Sequence, residues 1–148
     1  MQNFLMNAEL IREGGEYYAA RGDGKQALID ARDIGAAAAA VLTDPGKHSG
    51  ATHELTGGAA VSDEDCAAAL SEATGRPVRY VAVPPEAAAE GMRAAGVPDW
   101  LVDDLVFLDG LAAQGHLGAV TPTLEEILGR APLTFADFAR DYASAFGS

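Results

Sequence analysis

Cysteine is nearly missing: Cys66 is the only one in 148 residues, which excludes an internal disulfide and a cysteine-built zinc site. Basic residues are scarce as well. Ten Lys and Arg stand against 22 Asp and Glu, a formal net charge of -12, so the summed field repels phosphate backbones and anionic lipid surfaces and nucleic acid is not an expected partner. No apolar run approaches the ~20 residues of a membrane span. The opening "MQNFLMNAELIREGGE" has neither the basic first region nor the unbroken apolar core of a signal peptide. A cytoplasmic location without membrane insertion is the expectation.

Catalytic patterns are also sparse. "RGDGKQALID" resembles a phosphate loop only superficially: Gln26 follows the lysine where a Ser or Thr must hold magnesium, and a β-capable run follows the glycines instead of a helix. No segment supplies Gly-x-Gly-x-x-Gly between a strand and a helix. His48, His53 and His116 are scattered without a second ligand at metal spacing. A catalytic tyrosine paired with a lysine four residues on is absent, because Arg21, Gly22 and Pro84 follow Tyr17, Tyr18 and Tyr80 at that offset. Cys66 falls on the inward face of a capped helix, where a thiol acts as a small hydrophobe. The carboxylates of "SDEDC" and "TLEEI" read as helix N-terminal charge.

What is present is apolar patterning: 49% of residues are hydrophobic, enough for one compact domain over residues 1–148. Leu5, Ala8, Leu10 and Ile11 make a helical face that Gly14 and Gly15 end. "EYYAA" and "QALI" read as short strands joined by a hairpin turn at Gly22–Lys25. A helix follows in "ARDIGAAAAAVLT", with Asp30 or Asp33 capping it and "DPG" breaking it. "ATHELTGG" reads as another strand. Ser62 with Asp65 forms a capping box for a helix ending at Gly75. "RPVRYVAVPP" reads as a strand closed by prolines. Helices follow in "EAAAEGMRAAG" and in "PDWLVDDLVFLDGLAAQG", the latter with Trp100, Leu101, Leu105, Leu108 and Leu111 on one face. Thr123 with Glu126 and Thr134 with Asp137 open two more, the last presenting Phe135, Phe138, Tyr142 and Phe146. Few short strands followed by a helical second half predict a mixed α/β, α+β-like domain.

Seven segments in order, "MQNFL", "GDGKQALIDARDIGAAAAAVL", "HELTGG", "GRPVRYVAVP", "GVPDWL", "AQGHLGAVT" and "LGRAPLTFADFARDYASAF", resemble the C-terminal half of the NmrA-like, atypical short-chain dehydrogenase/reductase family. That family includes NAD(P)H-dependent quinone oxidoreductases and redox-sensing regulators. The resemblance implies the substrate-side half of a Rossmann-type fold, with the dinucleotide-binding half lying before this point and absent here. It implies that Met1, Gln2 and Asn3 line the cleft near the nicotinamide and substrate, and that the loop of Gly115 and His116 closes over the substrate. Its chemistry is hydride transfer from NAD(P)H to a quinone-like or carbonyl acceptor, with no metal. Two other readings stand beside it: a non-catalytic module sensing a ligand or protein, and a cofactor-independent cyclase or isomerase using the old cleft. In the family the strands near 27–30 and 53–56 flank a larger sheet, so a homodimer or a separate dinucleotide-binding chain is the expected partner.

Overall fold

A computed structural model describes residues 1–147. A 3-10 helix at Gln2–Asn7 runs into α1 (Ala8–Gly14), then β1 (Glu16–Ala19), β2 (Lys25–Gln26), α2 (Ala31–Thr43), α3 (Pro45–His48), β3 (Val61–Ser62) and α4 (Asp63–Thr74). β4 (Arg79–Ala82), α5 (Pro85–Ala94), α6 (Asp99–Ala113), α7 (Thr123–Leu128), α8 (Phe135–Asp141) and α9 (Ala143–Phe146) complete the described chain. The fold is mixed α/β, with few strands among many helices.

The helix signals operate as sequence chemistry requires. Ser62 and Asp65 satisfy each other's end of α4 in a capping box, Thr134 and Asp137 do the same for α8, and Gly75 takes the left-handed conformation (φ 69°) that closes α4. Asp30 caps α2 by accepting from the Arg32 amide. The expected cap at Thr123 is corrected: Pro122 precedes α7 and no side chain caps it, so Thr123 is already inside the helix.

The strands pair differently from the local reading. β1 lies parallel to β4, with Tyr17 opposite Tyr80, while β2 lies antiparallel to β3. The turn after Arg21 forms, with Gly24 N–H donating to the Arg21 carbonyl at 2.9 Å and Gly22 at φ 55°. It does not join two partners as a hairpin, because it delivers the chain from one sheet to the other. "ATHELTGG" is likewise not a strand but an irregular segment, tied by Gly57 N–H donating to the Ala27 carbonyl and by Thr121, whose amide donates to Thr56 Oγ1 and whose hydroxyl donates to the Glu54 carbonyl.

The main core lies between β1/β4 on one side and α4, α8 and α9 on the other. Phe4, Tyr17, Phe135, Phe138 and Phe146 form its aromatic centre with Ile11, Leu70 and Cys66. Phe4 meets Tyr17 and Phe135 edge-on at 5.5 and 4.7 Å. Burial pushes the Cys66 thiol well above its ordinary value, with Asp63 adding to the effect, so it is inert packing. The face expected to bury α6 is corrected as well. Trp100 and Leu108 are exposed, and the helix docks instead through Val102, Asp109 and Ala112.

Gly24 has a structural reason beyond turn formation. A Cβ there would sit 2.2 Å from the Ala112 carbonyl oxygen at the end of α6, and backbone cannot yield as a side chain can. Gly24→Ala is expected to lose about 2–3 kcal/mol, the upper range for forced overpacking. Urea unfolding checks it, and an unchanged midpoint would contradict the packing described.

Candidate functional site

An open, mostly apolar cleft of about 240 Å³ lies between the segment 58–61 and the segment 131–135. Leu28 and Met1 line it, Gly58 and Pro132 face each other across it, and Phe135 and Val61 add apolar surface. Among the described residues Glu125 is its one acidic side chain, and no lysine or arginine side chain lines it. Such a surface is the kind that buries apolar ligand area.

The walls are held by buried carboxylates. Asp33 has no solvent exposure and accepts from Arg130 Nη2 and from the Leu133 amide, both at 2.6 Å. It therefore anchors the 131–134 wall to α2 instead of capping that helix. Asp30, equally buried, accepts from the Arg32 amide and guanidinium and from Gln2 Nε2 at 2.9 Å, while Gln2 Oε1 accepts from the Ala31 amide. The Met1 ammonium donates to the Ile29 carbonyl at 2.6 Å.

Bonds from Arg32 hold the Asp30 carboxyl at about 2, below its ordinary 3.8. A folded value below the unfolded one means the stabilisation is whole above about pH 4 and is lost as pH falls toward 2. Asp30→Asn keeps a capping side chain while removing the charge. It is expected to flatten part of the fall in urea midpoint between about pH 4 and 2.5, and an unchanged slope would contradict this.

The structure places the five sequence-derived candidates apart. Met1 lines the cleft, Gln2 clamps the start of α2, and Asn3 is exposed on the 3-10 helix. Gly115 and His116 occupy the turn after α6 and line no part of the cleft; the neighbouring Leu117 carbonyl accepts from the Ala27 amide. His48 Nδ1 and His53 Nε2 lie 3.0 Å apart and share one hydrogen bond. Among the described residues no group of three metal-ligating side chains comes together.

Motif reasoning passed over Asp33 as a site residue, along with Glu125 and the Ala131–Phe135 wall. The available signal was "GRAPLTF", an extended proline-containing stretch between a helix stop and a capping box.

Residues 2–114 match the NmrA-like family. The chain belongs to it. This NmrA-like chain is 47% identical over 148 residues to the NAD(P)H azoreductase of Xenophilus azovorans, spanning all of the chain and 51% of that protein. It is 34% identical over 136 residues to Quinone oxidoreductase 2 of Escherichia coli (strain K12), spanning 92% of the chain and 47% of that protein. The crystal structure of an NADPH-dependent quinone oxidoreductase from Escherichia coli superimposes with a TM-score of 0.86 at 33% identity, covering 95% of this chain and 50% of that one. The same enzyme complexed with NADPH superimposes with a TM-score of 0.81. The chain thus spans about half the length of these relatives, which are oxidoreductases, the azoreductase named for NAD(P)H and the crystallised quinone oxidoreductase for NADPH.

The described residues do not fit the pyrophosphate of such a cofactor. A dinucleotide's phosphates settle on free amides at a helix N-terminus. Here all four helices of ten or more residues carry a carboxylate in the first turn: Asp33 in α2, Asp63, Glu64 and Asp65 in α4, Glu86 in α5 and Asp99 in α6. Glu86 and Asp99 are exposed charges that would repel a phosphate, and in α2 and α4 first-turn amides are already taken by the Gln2, Asp30 and Ser62 side chains.

Among the described residues no helix is long and apolar enough to cross a membrane.

Proposed function

We propose that residues 1–148 form the acceptor-binding side of an NAD(P)H-dependent oxidoreductase, one that reduces a neutral quinone-like or similar electrophilic carbonyl compound. The observation that carries this reading is the cleft between 58–61 and 131–135: apolar, lined by Phe135, Leu28 and Val61, with no lysine or arginine side chain among the described lining residues. Similarity to azoreductase and quinone oxidoreductase supports the reaction class. The acidic first turns leave the dinucleotide to residues other than these, so the chain by itself holds an acceptor and does not reduce it.

The test is binding of menadione, a neutral naphthoquinone, by equilibrium dialysis. A Cβ at Gly58 would lie 3.5 Å from the Pro132 ring, ordinary contact distance across the cleft. The Cβ of Gly58→Phe therefore meets only the Pro132 ring at ordinary contact, and the bulk added at this lining position is expected to weaken menadione binding at least about tenfold, a loss of ~1.4 kcal/mol, while the melting temperature holds. Equal binding by both proteins would place the acceptor elsewhere and sink the proposal.

A further inference from the structure

The one-turn helix α3 ends at His48, and five residues on the chain has come back far enough for His53 to meet it. The Ser49 amide closes α3 on the Pro45 carbonyl at 2.9 Å, the Ala51 amide donates to the His48 carbonyl at 3.0 Å, and Gly50 takes the left-handed conformation (φ 75°) that reverses the chain. Beyond this turn the returning arm is fixed, because the Glu54 carbonyl and Thr56 Oγ1 accept from the Thr121 hydroxyl and amide, both at 2.9 Å. His48 Nδ1 and His53 Nε2 consequently stand 3.0 Å apart, their rings crossed at 75° with centroids 5.0 Å apart. A spacing of five fits no histidine pair on one helix face, so the sequence alone separates two rings that the turn brings together.

That separation has a chemical meaning. Two imidazole nitrogens bound to one ion at about 2.0–2.1 Å stand about 2.8–3.0 Å apart when they subtend a right angle, and about 3.3–3.4 Å apart at the tetrahedral angle. The observed 3.0 Å is the right-angle separation, which suits tetragonal Cu2+ or Ni2+ better than tetrahedral zinc. Both side chains are only half-buried, which leaves the rings room to turn their lone pairs from each other onto a common ion. The ring that donates the present hydrogen bond then carries its proton on its other nitrogen, so a neutral pair releases none. Asp44, at the start of α3, is engaged with Lys47 at 2.8 Å. Two imidazoles are therefore the protein donors, and water completes the coordination.

We propose that His48 and His53 form a surface chelate for a late first-row divalent ion of right-angle geometry, Cu2+ before Ni2+ in affinity. The formal net charge of -12 raises the local concentration of any such cation. The site lies outside the apolar cleft, with no lining residue in common, and its test uses neither quinone nor nucleotide.

Equilibrium dialysis of the 148-residue chain against Cu2+ alone, followed by electron paramagnetic resonance of the loaded protein, provides that test. One Cu2+ should bind per chain, with a tetragonal spectrum split by two nitrogens. His48→Gln and His53→Gln should each weaken binding about a hundredfold, because the second imidazole no longer closes an intramolecular contact. His116→Gln, at an exposed histidine on the turn after α6, should leave it unchanged. The nitrogen count in the parent protein stands whichever way the variants fold. No binding, a spectrum showing oxygen donors only, or Cu2+ held undiminished by the His48→Gln/His53→Gln double variant would overturn the proposal.

Discussion

Arg21→Met is expected to destabilise the protein by about 3–5 kcal/mol, the range for removing one partner of a buried ionic group. Arg21 Nε and Nη2 donate to the two oxygens of Asp63 at 2.7 Å each, and Nη1 donates to Asp109 Oδ1 at 3.1 Å. Asp63 and Asp109 side chains are 1% and 8% exposed. One guanidinium therefore holds two carboxylates inside the fold. Those carboxylates belong to α4 and α6, while Arg21 follows β1, so the cluster joins three elements far apart in the chain. Without the arginine, two negative charges remain buried together with no cation. Adding Asp63→Asn and Asp109→Asn to Arg21→Met should recover part of the loss. A deficit below about 1 kcal/mol would show that solvent reaches the cluster and the clamp is weak.

Phe138→Ala is expected to cost a similar amount, about 3–5 kcal/mol. Phe138 has no solvent exposure, and its ring centroid lies 5.3 Å from Phe135, 4.8 Å from Tyr142 and 6.1 Å from Phe146. Truncation removes the ring around which α8 and α9 fold back onto α4. The contrasting variant is Phe107→Ala, at a position 66% exposed on α6, which should change stability by no more than about 0.5 kcal/mol. Equal losses from the two would mean that α6 is covered in solution or that the α8 core is loosely packed. Against a typical stability of ~5–15 kcal/mol, the Phe138 loss alone would lower the melting temperature by many degrees.

These two phenylalanines show where sequence reading succeeds and where it stops. The capping boxes at Ser62/Asp65 and Thr134/Asp137 are local, so residue types three positions apart declare them, and the Phe135–Phe146 stripe follows from helical spacing within one segment. On α6 the same spacing logic selects Trp100 and Leu108, yet Val102, Asp109 and Ala112 are buried, because Asp109 must reach the Arg21 cluster. No periodicity rule puts an aspartate in the core. The turn at Gly22–Lys25 was legible as a turn, but not that its flanking strands would pair with β4 and β3, some sixty and thirty-six residues away in sequence. The α/β class and the family were readable from the ordered segments. The cleft was not, since Leu28, Gly58, Glu125 and Pro132 meet only in three dimensions. Asp33 illustrates the same gap: its position in the first turn of α2 suggests a cap, and its partners lie about a hundred residues on.

We propose that this chain holds an acceptor site without a dinucleotide site, and a thermal melt of the 148-residue protein against two ligands tests that most directly. Menadione should raise the melting temperature saturably, by the equivalent of ~2.7 kcal/mol at a hundredfold excess over its dissociation constant. NADPH over the same range should leave it unchanged, because the acidic helix starts give its phosphates no seat. A saturable rise with NADPH alone, and none with menadione, would contradict the account on both counts.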